Sequence, residues 1–98
     1  PMPTYISLIN WTDQGIRTVK DSPKRLDAAK KTLKEMGGDL ETFYMTQGSF
    51  DAILIFEAPS DEVAAKFLLK VGSAGNVRTT TLKAYSEAEY RKIIAALS

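Results

Sequence analysis

Apolar positions alternate from residue 4 to 11, with Tyr5, Ser7, Ile9 and Trp11 on one face and Ile6 and Leu8 on the other. A two-residue period predicts a strand, and because both faces are largely apolar, neither is meant for bulk water. Asn10-Trp11-Thr12-Asp13 ends it, and Thr12 is placed to N-cap a short helical turn over Ile16 and Val19. Ser22-Pro23 predicts a helix with Ser22 as N-cap and Pro23 at its first position. Leu26, Ala29, Leu33 and Met36 form its apolar stripe, and Gly37-Gly38 terminates it. Residues 40–46 predict a second strand that runs into a tight reversal at Gly48, where glycine reaches positive φ without a Cβ clash. Residues 50–56, from Phe50 to Phe56, are apolar apart from Asp51 and predict a central strand buried on both faces, so Gly48 and Phe50 frame a structural turn.

Beyond Pro59, Ser60 predicts the cap of a helix carrying Asp61 and Glu62 in its first turn and a stripe of Val63, Ala64, Phe67, Leu68 and Val71. The segment 72–75 breaks it, and residues 76–85 predict a fourth strand rich in Val and Thr. Ser86-Glu87-Ala88-Glu89 is a capping box opening a last helix, with Tyr90, Ile93, Ile94 and Leu97 at helical spacing. The order β-α-β-β-α-β plus a C-terminal helix repeats one βαβ plan over residues 4–46 and 50–85. It predicts an α+β, ferredoxin-like sandwich with a four-stranded antiparallel sheet. Helices cover only one face of such a sheet, and the apolar second face calls for a partner. A homodimer packed sheet to sheet, forming a dimeric α/β barrel or a higher ring, is the simplest solution.

Composition narrows the chemistry. Residues 1–98 make one domain, with thirteen basic and twelve acidic side chains and a net charge of +1. That balance gives no global basic field for nucleic acid or acidic membranes, and no apolar run approaches the length of a membrane span. The absence of cysteine removes disulfides, thiolate nucleophiles and zinc–sulfur sites and fits a reducing cytoplasm. The absence of histidine removes the commonest general base and metal ligand, so neither metal nor cofactor is expected. Pro1-Met2-Pro3 reads as a natural start at Met2 preceded by one leftover residue.

Asp51, a carboxylate beside an apolar strand, has two readings. It is either a base with a raised pKa acting on a ligand, or an acceptor for backbone N–H groups that fixes the turn. Tyr5, Trp11, Tyr44 and Arg78 form a second group: aromatics with one cation suit a planar anionic ligand, whereas large aromatics also fill interfaces. On that bland reading Arg78 pairs with Asp51, Glu57 or a partner carboxylate. Arg17, Lys20, Lys24, Arg25, Lys30, Lys31 and Lys34 make the first helical region basic, but at the spacing of a solvated face and without a Gly-rich phosphate loop. Pro3, if exposed by removal of Met2, would be a terminal secondary amine of the kind tautomerases use, and this is a minor alternative.

Pro3-Thr4-Tyr5-Ile6-Ser7-Leu8, Asn10-Trp11-Thr12-Asp13-Gln14-Gly15-Ile16, Lys20-Asp21-Ser22-Pro23-Lys24-Arg25 and Gly75-Asn76-Val77-Arg78-Thr79 resemble the GYD domain family over nearly the whole chain. The family's Gly-Tyr-Asp signature stands here as Gly48-Ser49-Phe50-Asp51, with Phe50 replacing the tyrosine and its hydroxyl. The resemblance implies a dimeric α/β barrel, in a superfamily that also holds cofactor-free monooxygenases and the amino-acid-binding domains of AsnC/Lrp-type regulators. With no strong catalytic constellation, the expected function is homo-oligomeric binding of a small anionic or aromatic molecule, for sensing or sequestration. The alternatives are a cofactor-independent monooxygenase or isomerase, with Asp51 as base and Arg78 holding the substrate anion, and a purely structural assembly protein.

Overall fold

A computed structural model describes residues 2–98; the reading of Pro1 as a leftover residue lies outside the described residues. The elements run β1 (Thr4–Trp11), α1 (Asp13–Arg17), a 3-10 turn (Val19–Asp21), α2 (Ser22–Glu35), β2 (Asp39–Met45), β3 (Ala52–Glu57), α3 (Asp61–Ser73), β4 (Val77–Ala84) and α4 (Glu87–Ala95). All pairings are antiparallel, in the order β2-β3-β1-β4. This is the expected ferredoxin-like α+β fold, with β1 and β3 at the centre of the sheet.

Local chemistry sets most boundaries. Thr12 accepts the Gly15 N–H at 3.0 Å, Ser60 accepts the Val63 N–H at 3.2 Å, and Ser86 with Glu89 completes both bonds of a capping box. Ser22 is the exception. It is not the N-cap of α2 but already helical, because the 3-10 turn over Val19–Asp21 leads straight into the helix; Asp21 takes the cap position without a side-chain bond. Between β2 and β3, Gly48 has φ +118°, the positive value anticipated. Phe50 and Asp51 precede β3 instead of belonging to it, because the turn ties them to Thr46. The Thr46 N–H donates to the Asp51 carbonyl at 2.9 Å and the Thr46 hydroxyl to the Phe50 carbonyl at 2.7 Å.

The sheet's two faces differ. On the side of α2 and α3, Tyr5, Leu54 and Phe56 join Leu33, Ala64 and Phe67 in the buried core, with Phe56 stacked on Tyr5 and edge-on to Phe67. The opposite face presents Ile6, Leu8, Ile53 and Ile55, each only half-buried in the single chain. The sequence expectation of a strand buried on both faces is therefore met on one face by this chain's own helices and not on the other. Helix α4 contributes no buried residue, and Tyr90, Ile93, Ile94 and Leu97 remain exposed.

Candidate functional site

Between the sheet and helices α2 and α3 lies a cavity of about 440 Å³. Its origin is small side chains where a filled core would place large ones. Ser7 on β1, Ala52 on β3 and Ala29 on α2 converge there, with Trp11, Leu26, Leu54, Phe67 and Val71 around them. The volume falls within the usual range of about 300–1,000 Å³ for small-molecule pockets.

The lining is mostly apolar. On its sheet side the fully buried Ser7 hydroxyl is satisfied by Thr81 at 2.9 Å, which removes the penalty of a bare buried hydroxyl. The charged residues that line it are Arg25 and Lys70, and no carboxylate among the described residues does so. Arg25 is held in place by its own chain: its guanidinium donates to the Thr18 carbonyl at 3.1 Å, the Thr18 hydroxyl at 3.2 Å and the Gly15 carbonyl at 3.2 Å. The site therefore offers an apolar interior with positive charge in its wall.

The structure divides the residues that the sequence singled out. Trp11 lines the cavity. Tyr5 lies on the same face of β1 but in a separate, shallower depression with Asp61 and Lys83. Its hydroxyl donates to Asp61 Oδ1 at 2.5 Å, and burial together with that carboxylate pushes the phenol up to about 12. Tyr44 and Arg78 are on the other side of the sheet, in register with Ile53 and Asn10 respectively, so they are not brought together with Tyr5 and Trp11. Asp51 does not line the cavity. Its Oδ2 accepts the Trp11 N–H at 2.9 Å, and its own N–H donates to the Ile9 carbonyl at 2.8 Å. Pro3 is joined to the sheet's end, its carbonyl accepting the Ala58 N–H at 3.2 Å.

Arg25, Lys70, Ser7 and Ala29 were not singled out as site residues. Arg25 was hidden in a run of solvated lysines, of which it is the half-buried member. Ala29 read as one more member of a core stripe, and only the facing Ser7 and Ala52 turn its small size into space.

Comparison with known proteins follows the fold. A family model described as GYD domain matches residues 5–94. A Thermus thermophilus protein named glutamine synthetase and cystathionine beta-lyase binding protein is 32% identical over 89 residues, covering 90% of this chain and 94% of the relative. Two Mycobacterium tuberculosis structures share the fold. The leucine response regulatory protein has TM-score 0.64 at 19% identity, over 86% of this chain and 51% of its own. The feast or famine regulatory protein, solved with L-methionine, has TM-score 0.64 at 20% identity, over 87% and 54%. The chain thus spans about half the length of these two regulators. A further structure, from Thermus thermophilus, matches at TM-score 0.56 and 21% identity, over 87% of this chain and 95% of that one.

Proposed function

The chain belongs to the GYD domain family, and from that membership and the cavity behind its sheet we propose that it is a homo-oligomeric small-molecule-binding protein that senses or sequesters its ligand. The observation that carries this reading is the 440 Å³ cavity itself, apolar within and bordered by Arg25 and Lys70. An aromatic or aliphatic body would replace water there, and a carboxylate would sit towards the two cations. A cationic ligand would meet like charge, with no carboxylate among the described lining residues to offset it. The half-buried apolar face of Ile6, Leu8, Ile53 and Ile55 supports self-association.

Trp11 is the chain's single tryptophan and lines the cavity, so its fluorescence reports occupancy directly. Titration with aromatic carboxylic acids, medium-chain fatty acids and the corresponding amines is expected to quench or shift emission for the acids, saturably, and not for the amines. Absence of any saturable change across all three sets would overturn the reading.

The relative's name supports a protein-binding output alongside ligand binding, with glutamine synthetase and cystathionine β-lyase as the first partners to test. Co-elution of the purified chain with either enzyme from its own organism, altered by a cavity ligand, would join the two. An oxygenase or isomerase driven by Asp51 has less support, because that carboxylate is engaged by the Trp11 N–H and stands outside the cavity.

A further inference from the structure

The sheet face turned away from the helices carries its charge at two diagonally opposite corners. Register places its residues in rows across the strands. Ile6, Leu8, Ile53 and Ile55 fill the two middle rows, with Tyr44 and Leu82 on the outer strands. At one end, Arg78 on the edge strand β4 pairs in register with Asn10. At the other end, Asp39 on the opposite edge strand β2 pairs with Glu57 on β3. Glu41 occupies the register shift between Leu40 and Thr42, near enough to Glu57 and Asp39 for their carboxylates to act on it. The six-residue step from Thr4 to Asn10 separates the charged rows by about 20 Å, and four strands span about 14 Å.

Among the described residues neither corner is fully neutralised by this chain's own side chains. Among the described residues no carboxylate forms a salt bridge with Arg78, and the acidic corner has only Lys34, 3.8 Å from Asp39 and well exposed. The Glu57 carboxyl group, and the charge of Asp39, hold Glu41 above the usual carboxylate range, as expected where acids crowd together.

A two-fold axis lying in the plane between two such faces, oblique to the strands, exchanges the corners. It sets apolar rows against apolar rows and each cation against the partner's acids. We propose that this face docks a second copy of the chain in one register, with strands crossing steeply and Arg78 seated over the partner's Asp39, Glu41 and Glu57. The inference rests on the homo-oligomer reading above and adds the orientation and the residues that select it. An axis parallel to the strands would instead set each charged corner against an uncharged one, near Tyr44 or Ala84, and only an axis along the line joining the charged corners would place like charges together.

The test uses the full chain and sedimentation velocity over micromolar concentrations. Arg78→Glu alone, and Asp39→Lys with Glu57→Lys, are each expected to weaken self-association at least about tenfold, and an equimolar mixture to recover parental affinity within about threefold. Arg78→Gln, which keeps the strand and removes only the charge, guards against misfolding of the reversed variants: it is expected to weaken association and flatten its salt dependence. If the parent is monomeric throughout, the homo-oligomer reading falls and this inference with it. If the parent associates but the reversed variants associate equally well, or weaken without recovery on mixing, the charge-set register alone is wrong.

Discussion

The Tyr5 hydroxyl donates a 2.5 Å hydrogen bond to Oδ1 of Asp61, so the buried start of β1 is tied to the first turn of α3. Lys83 on β4 reaches the same carboxylate at 3.1 Å, and three elements meet there. Burial and Asp61 raise the Tyr5 phenol from 10.0 to about 12. Folding therefore favours the neutral phenol, and its contribution is whole below 10.0 and is lost as pH rises through about 12. Lys83, raised by the hydrogen bond and charge of Asp61, loses its part in the same direction. Asp61, lowered by hydrogen bonds from Tyr5 and Lys83, contributes above the ordinary carboxylate range and loses that contribution as pH falls through its depressed value. Tyr5→Phe keeps the stack on Phe56 and removes the bond. It is expected to lower Tm by a few degrees at neutral pH and to shallow the alkaline limb, which thermal melts across pH 6 to 12 would check; an unchanged alkaline limb would refute this account.

Asp51 holds the end of β1 by accepting the Trp11 N–H. Asp51→Ala leaves that N–H without its partner and is expected to cost about 1–3 kcal/mol in chemical denaturation. Asp51→Asn retains a carbonyl acceptor and is expected to cost clearly less. Both should keep saturable ligand quenching of Trp11 while folded. Loss of binding by a stable Asp51→Asn variant would instead return Asp51 to the ligand site.

The fold was legible because each element carries its own signals. The caps at Thr12, Ser60 and Ser86, the Gly37-Gly38 stop and the Gly48 reversal act over a few residues, and all can be read in order along the chain. The site was less legible because it depends on which strand faces meet. Tyr44 and Arg78 share their strands with residues of both faces, and a single bulge at Glu41 decides on which side of β2 Tyr44 falls. The Tyr5–Asp61 bond spans 56 positions, and Asp61 taken locally is simply an acid in a helix's first turn.

Gly15 and Gly48 separate two reasons for having glycine. At Gly48 a Cβ would meet nothing within 4 Å, so the constraint is φ +118° alone, and Gly48→Val is expected to cost about 1–3 kcal/mol. At Gly15 a Cβ would lie 1.9 Å from the Asn76 carbonyl oxygen, backbone that Thr12 ties in place through its N–H at 3.1 Å. Gly15→Ala must therefore push α1 away from the start of β4, at an expected cost of about 3 kcal/mol or more. Parallel denaturant melts decide the order. Equal costs would mean that α1 gives way readily at Gly15, and reversed costs that the Gly48 strain is the larger constraint.

The cavity makes a prediction in which stability and binding part company. Ala29 is half-buried on α2, lines the space and packs beside the core cluster, so a larger apolar side chain has room to enter without displacing a neighbour. Ala29→Leu adds three carbons, each worth about 0.8 kcal/mol if fully buried, less whatever repacking costs. Its Tm is expected to hold or rise while acid-dependent quenching of Trp11 disappears. Lys70→Glu acts on the other half of the recognition: it puts a negative charge into the wall of an otherwise apolar site whose other charged lining residue is Arg25. This variant should lose affinity for aromatic acids and retain it for neutral aromatics of the same shape. Fluorescence titration and melts of both variants check the pair. If Ala29→Leu binds as well as the parent, the ligand lies elsewhere; if Lys70→Glu affects acids and neutral aromatics equally, the charge in the wall takes no part in selecting it.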